Sequence, residues 1–226
     1  MPALRLLRVL AALTALAASS DALAQESGRE RRGEPGRFDY WVLSLSWSPA
    51  HCAEEPDADP RQCGPGRRFA FVLHGLWPQW ERGSWPQYCA VEQDVPREVP
   101  RDVEDAMLPV MPSRGLVRHQ WNRHGTCSGL SAAEYFRLAR EAFGRIRIPE
   151  ALISARQPVT LEVDAVERLF AEVNPGFSEE NGAVVCRKGL LAEIRICLDR
   201  KLGFRNCGRG VQDRCPLGEA TIPPLP

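Results

Sequence analysis

Eight cysteines among 226 residues constrain this chain more than any other feature of its sequence. An even number of that size is rather high for a cytosolic enzyme. It points to an oxidising compartment where disulfides persist, or to a metal site. The N-terminus decides between compartments. Met1 to Ala24 has the anatomy of a secretory signal peptide, with Arg5 and Arg8 in a positive leader, an apolar run from Val9 to Ala18 broken by Thr14, and a small-x-small site at Ala22-Leu23-Ala24. The run is too short to span a bilayer, which needs roughly 20 apolar residues. Cleavage after Ala24 would remove 24 of the 226 residues, leaving 202 and all eight cysteines. The expected location is secreted or periplasmic, with no membrane attachment after the signal is removed. The cysteines then read as four bridges. Eight cysteines allow about a hundred pairings, and the sequence does not choose among them.

Charge bears on the partner. The chain carries 29 basic and 29 acidic side chains, and losing Arg5, Arg8 and Asp21 with the signal leaves 27 and 28. A protein that grips nucleic acid by bulk charge is normally basic, so any polyanion handled here must meet a local patch. With 44% hydrophobic and 26% charged residues, the composition is that of an ordinary globule.

The organisation reads as a leader over 25–36 and one domain over 37–226. Gln25 to Gly36 is polar and aperiodic and is expected to be mobile. Phe38 to Trp47 reads as a strand stopped by Ser48-Pro49, and Ala50 to Arg67, holding Cys52 and Cys63, as an excursion stapled by a short bridge. Arg68 to Leu73 reads as a second strand leading into His74-Gly75-Leu76-Trp77-Pro78. Glu98 to Met111 and His119 to Cys127 are candidate helices. Ser131 to Ile146 is the clearest one, with Ser131 and Glu134 forming a capping box. Asp164 to Val173 is another, closed by Asn174-Pro175-Gly176. Ala183 to Cys186 and Glu193 to Leu198 read as strands. Strands at both ends with helices between indicate an α+β fold: a single domain with a central, mainly antiparallel β-sheet and packed helices.

Three of the four histidines fall in two short segments, His74 in HGLWP and His119 and His124 in HQWNRHGTC. At ~100° per helical residue, with His119 at zero, Arg123 falls near 40°, Gln120 near 100° and His124 near 140°, while Trp121 lies near 200°. Two imidazoles, a guanidinium and an amide would share one arc, and the indole could pack inward. Cleavage of an RNA phosphodiester fits this set and needs no cofactor. The 2′-hydroxyl nucleophile comes with the substrate, and histidine can remove one proton and donate another near working pH. Arginine can hold the crowded phosphorane with a fixed charge.

The pair HGLWP and H-x-W-x-[KR]-H-G-T-C resembles the two active-site segments of the ribonuclease T2 family, in the same order and about 45 residues apart. The resemblance implies a ribonuclease T2-like fold and a metal-independent endoribonuclease of low base specificity. Its partner would be RNA, preferably single-stranded. DNA would not be cut, and the enzyme would act as a monomer. It implies His124 as general base, His74 as general acid, His119 as phosphate ligand (thus both catalytic and substrate-binding) and Arg123, where the family usually has Lys, as transition-state cation. Trp77 would lie near the base-binding site, where stacking is one role and core packing the other. Trp80, Trp85 and Tyr88 are further aromatics that the sequence does not place. One departure stands out: the family usually reads His-Glu where this chain reads His119-Gln120, so any charge-tuning role of Gln120 is in question. The resemblance also implies bridges Cys52–Cys63, Cys89–Cys127, Cys186–Cys215 and Cys197–Cys207.

Besides a purely structural secreted domain, which leaves the histidines unexplained, two other readings compete. His119, His124 and Cys127 form H-x4-H-x2-C, which could mimic a zinc set, although ligands five apart share a helix face poorly. A non-catalytic relative binding RNA or a protein would be expected to have lost a proton-transfer histidine, and both are present.

Overall fold

The computed structural model describes residues 32–55, 57–90 and 98–226. The expected signal peptide and the leader up to residue 31 lie outside them. The last five leader residues, 32–36, are not the free tail the composition suggests. Arg32 and Gln87 exchange backbone hydrogen bonds at 2.9 and 2.8 Å, and the Gly36 N–H reaches the Cys127 carbonyl at 3.0 Å.

Six strands form one sheet in the order β2-β1-β5-β6-β3, with β4 pairing β5 off that path. The strands are β1 Tyr40–Trp47, β2 Phe71–Gln79, β3 Val159–Glu162, β4 Gly182–Arg187, β5 Leu190–Leu198 and β6 Glu219–Ile222. All pairings are antiparallel except a short parallel contact of β5 with β6 at Leu190 and Thr221. The helices are α1 Ser48–Glu54, α2 Pro60–Cys63, α3 Arg101–Met107, α4 Arg114–Arg123, α5 Ala132–Arg145, α6 Glu150–Ser154 and α7 Val163–Val173. The architecture is therefore α+β with a mainly antiparallel sheet. Among the described residues no helix is long and apolar enough to cross a membrane.

Alternation along the strands gives the sheet two different faces. Trp41, Leu43, Leu45 and Trp47 of β1 and Ile194, Ile196 and Leu198 of β5 enter the main core. Met107 of α3, Val117 and Trp121 of α4, Phe136 and Ala139 of α5 and Phe170 of α7 complete it. Burying each large apolar side chain contributes roughly 1.5–3 kcal/mol, so this face carries most of the stability. The opposite face holds a smaller cluster of Tyr40, Val42, Trp77, Ala183, Cys197 and Val211, and it is here that polar groups gather.

Several elements differ from their sequence-based expectations. Ser48-Pro49 ends β1 but begins α1, because Pro is favoured in a first helical turn. Strand β2 does not end before His74; it runs through the whole HGLWP segment. Pro78 is tolerated because β2 is an edge strand of the sheet. Helix α4 starts at Arg114, before His119, where the Ser113 hydroxyl accepts the Leu116 N–H at 3.3 Å. It ends at Arg123, with Gly125–Cys127 continuing as a separate 3₁₀ turn. The α5 capping box forms as the sequence indicates. The short elements α6, β3 and β6 carry no strong local signal and were not anticipated.

Four disulfides staple the fold: Cys52–Cys63, Cys89–Cys127, Cys186–Cys215 and Cys197–Cys207. The second removes Cys127 as a thiolate ligand, so the H-x4-H-x2-C zinc reading fails on its sulfur.

Candidate active site

His74 owes its position to an irregularity. Leu76 pairs with Leu43 and Gly75 with Ser44, but the next pair is Leu73 with Leu45, so His74 is an extra, unpaired residue in a β-bulge. Bulges bend a strand and redirect a side chain, and here the redirected side chain is the imidazole. Its Nδ1 lies 2.8 Å from Oε1 of Glu193 on β5.

The second segment arrives from the end of α4. Trp121 points into the main core, fully buried. Gln120 and His124 lie on the other side of the helix and reach Trp77 on β2, as the helical arithmetic anticipates. The Trp77 indole N–H donates to Gln120 Oε1 at 2.7 Å. His124 stacks on the Trp77 ring, with centroids 5.1 Å apart and planes 25° from parallel. His74 meets the same ring edge-on at 5.2 Å. Both histidines thus pack on Trp77. Gly75 makes this possible, since a Cβ there would sit 2.2 Å from Gln120 Oε1 and 2.3 Å from Trp77 Nε1.

A cavity of about 210 Å³ opens over this group. It brings together all six residues that the sequence singled out: His74, Trp77, His119, Gln120, Arg123 and His124. Trp85, Glu193, Arg195 and Arg214 also line it. His119 is exposed at the mouth, whereas Gln120 and His124 are buried. The Arg123 Nε is buried with no hydrogen-bond partner among the described residues, so the guanidinium retains donor capacity. Trp77 is not an open stacking platform. His124 and His74 pack on it, and the Arg195 guanidinium lies 5.2 Å from its ring centroid. Trp85 is only half-buried in the cavity wall, while the Trp80 indole N–H is taken by the Arg37 carbonyl at 2.9 Å. The Tyr88 backbone N–H donates to the Arg123 carbonyl at 2.9 Å.

The two imidazoles sit in opposite electrostatic surroundings. Burial holds the His124 pKa well below its usual value, and the positive neighbours Arg123, His74, His119 and Arg195 act in the same direction. His74 instead contacts a carboxylate. Burial would push the Glu193 pKa up, but hydrogen bonding and charge from His74 and Arg195 bring it to about 2. Glu193 and Arg195 were missed from sequence. The available signal was two charged residues at alternate positions of an otherwise apolar strand, EIRICL, which places both on one face. Gln120 carries no charge, and its observed contact is to hold the indole.

Comparison with known proteins agrees with this geometry. Residues 38–207 match the model of the ribonuclease T2 family. A ribonuclease of Aeromonas hydrophila is 39% identical over 183 residues, covering 77% of this chain and 78% of the relative. Ribonuclease MC1 from the seeds of bitter gourd superposes with a TM-score of 0.63 at 22% identity, covering 81% of this chain and 99% of that one. RNase NT in complex with 5′-AMP superposes with a TM-score of 0.55 at 23% identity, covering 79% and 99%. The family match spans both histidine segments, and the chain belongs to the ribonuclease T2 family as an enzyme of the endoribonuclease class.

Proposed function

We propose that this protein cleaves single-stranded RNA by attack of the substrate's own 2′-hydroxyl, without a metal or other cofactor, and that it works in a secreted or periplasmic setting as a monomer. The observation that carries the mechanism is the placement of two imidazoles against Trp77, one buried among cations and one on a carboxylate. Two histidines in such different surroundings divide naturally into base and acid.

His124, kept neutral, takes the 2′-hydroxyl proton as O2′ bonds to phosphorus. The phosphorus–O5′ bond then breaks, and His74 gives its proton to the departing O5′. The product is a 2′,3′-cyclic phosphate, which water opens to a 3′-phosphate with the two histidines exchanging roles. Arg123 and His119 face the phosphate from α4 and stabilise the charge on its non-bridging oxygens. Trp85 offers a flat apolar surface to a base, which suits low base specificity because every base has a stackable face. The three cavity arginines, Arg123, Arg195 and Arg214, rather than net charge, supply the local positive field.

Incubation with RNA and with the matching DNA in excess EDTA tests this reading. RNA should be cut to fragments with 2′,3′-cyclic ends, and DNA should survive because it lacks the nucleophile. Activity lost to EDTA would favour a metal mechanism, and RNA binding without cleavage would favour a non-catalytic relative.

A second test concerns Gln120. A base must be unprotonated to work, so the acid limb of the pH–rate profile follows His124. Gln120→Glu would place a negative charge at the N–H of the indole on which that ring stacks and favour its protonated form. The acid limb should therefore move to higher pH, with activity lost first at the acidic end. Superimposable profiles would show that position 120 holds the indole and does no tuning.

A further inference from the structure

One buried charge takes no part in the proton transfers just described. The Glu193 side chain is 11% exposed. Its Oε1 meets His74 Nδ1 at 2.8 Å, and its Oε2 accepts from Arg195 Nε at 2.9 Å and from Ser44 Oγ at 3.2 Å. Arg195 Nη2 adds a third contact to Oε2 at 2.8 Å. The carboxylate is thus gripped from its own strand and from β1, and it grips a residue on β2.

This contact spans two strands. In the sheet β1 lies between β2 and β5, so His74 and Glu193 meet over the top of β1. Adjacent strands are about 4.8 Å apart, so the two side chains bridge nearly 10 Å of backbone. The β1 residues beneath are Ser44, opposite Gly75 and Arg195, and Ser46, opposite Glu193. Small hydroxyl side chains leave this space open where the same face carries Val42 and Tyr40 further along. His74 also sits on a bulge, where the backbone ladder does not fix its direction, so an outside partner must orient the ring.

We propose that Glu193 is the positioning residue for the general acid: it holds the His74 ring by Nδ1 and directs Nε2 into the cavity toward the leaving group. An ionised carboxylate only accepts hydrogen bonds, so the shared proton lies on Nδ1 and the remaining ring nitrogen is the one free to face substrate. Arg195 and Ser44 keep the carboxylate from turning away. Other charged groups also act on His74. His124 lies at the end of α4 and His51 on α1, and Glu193 is the anion in direct contact. This proposal rests on the reading of His74 as the acid.

The test varies the leaving group. A dinucleoside phosphate expels an alkoxide that needs a proton, whereas a nucleoside 3′-(4-nitrophenyl phosphate) expels a phenolate that does not. For Glu193→Ala, kcat on the dinucleoside should fall roughly 30- to 100-fold, part of the ~10²–10⁴ of an acid catalyst, with KM changed less than about threefold. On the aryl ester the loss should be under about fivefold. Glu193→Gln should fall between, because its amide oxygen still accepts from Nδ1 but carries no charge. Should the alanine variant fail to fold, the isosteric glutamine variant carries the same comparison. Equal losses on both substrates, or none on the dinucleoside, would overturn the proposal. His74→Ala run in parallel separates the two ideas. If its loss depends on the leaving group and that of Glu193→Ala does not, the positioning role alone fails. If the loss in His74→Ala does not depend on the leaving group, the acid assignment fails and the positioning role falls with it.

Discussion

His124→Ala should lower kcat/KM on RNA by roughly 10³- to 10⁴-fold while the folded structure persists. The size follows from what the imidazole does and from what surrounds it. His124 is the C-cap of α4 and is buried against Trp77, with Arg123 next to it. Among the described residues no other imidazole stacks flat on the indole, so no spare base can take its place. The stability cost should be far smaller than the kinetic cost. Removing the ring leaves a void beside Trp77, but it also removes a buried Nδ1 that has no hydrogen-bond partner among the described residues, and such a group is itself unfavourable to bury. Single-turnover cleavage of a dinucleoside phosphate, with circular dichroism as the folding control, measures both effects. A variant keeping a tenth of the activity or more would sink the assignment of His124 as base.

How much of this was legible in the sequence depends on how local each signal was. Strand β1 announces itself because alternate residues are large and apolar, and α5 because Ser131 and Glu134 cap it. The histidines were legible because they are scarce and share two short segments, and the side of α4 they occupy followed from its 3.6-residue period. The bulge at His74 was not legible, since it exists only through pairing with Ser44 and Leu45, which lie 30 residues away in the chain. Nor was Glu193, more than a hundred residues from the histidine it contacts. Its strand was recognised by apolar residues, and its two charges carry no local sign of the cavity they face. Nor was the covering of Trp77 by His124 and Arg195 legible. Whether an indole is open or covered depends on partners from α4 and β5, and no local pattern carries that information. Gln120 is the reverse case. The sequence marked it as a departure from a charged residue, and the structure supplies a neutral contact that an amide makes well.

The Cys89–Cys127 bridge is where fold and site depend on each other most, and its removal should give the largest stability change. The two cysteines are 38 residues apart, and closing a loop of that length stabilises by roughly 4 kcal/mol in the chain-entropy account. For a domain of this size that corresponds to a melting temperature lower by roughly 8–16 °C in the Cys89→Ala/Cys127→Ala double variant. Removing Cys52–Cys63, separated by 11 residues, should cost only about 3 kcal/mol on the same basis. Turnover should separate the two variants further. Just before the first bridge, Tyr88 holds a left-handed backbone with φ of 50°, an unfavourable state for a side chain of its size, while its N–H donates to the Arg123 carbonyl at 2.9 Å. On the other side, the 3₁₀ turn Gly125–Cys127 follows His124 directly, and the Cys127 carbonyl accepts the Gly36 N–H at 3.0 Å. The disulfide therefore ties together the two ends of a strap that sets where Arg123 and His124 stand. Without it, Tyr88 can relax toward ordinary backbone, the carbonyl of Arg123 loses its donor, and the base and the cation shift against the fixed strand that carries His74. Activity should fall at temperatures well below melting, whereas the Cys52–Cys63 variant should keep its turnover until it unfolds. If both variants lost turnover only on unfolding, the bridge would be a staple of the fold and not of the site; a double variant melting within about 2 °C of the unmodified protein would deny it even that.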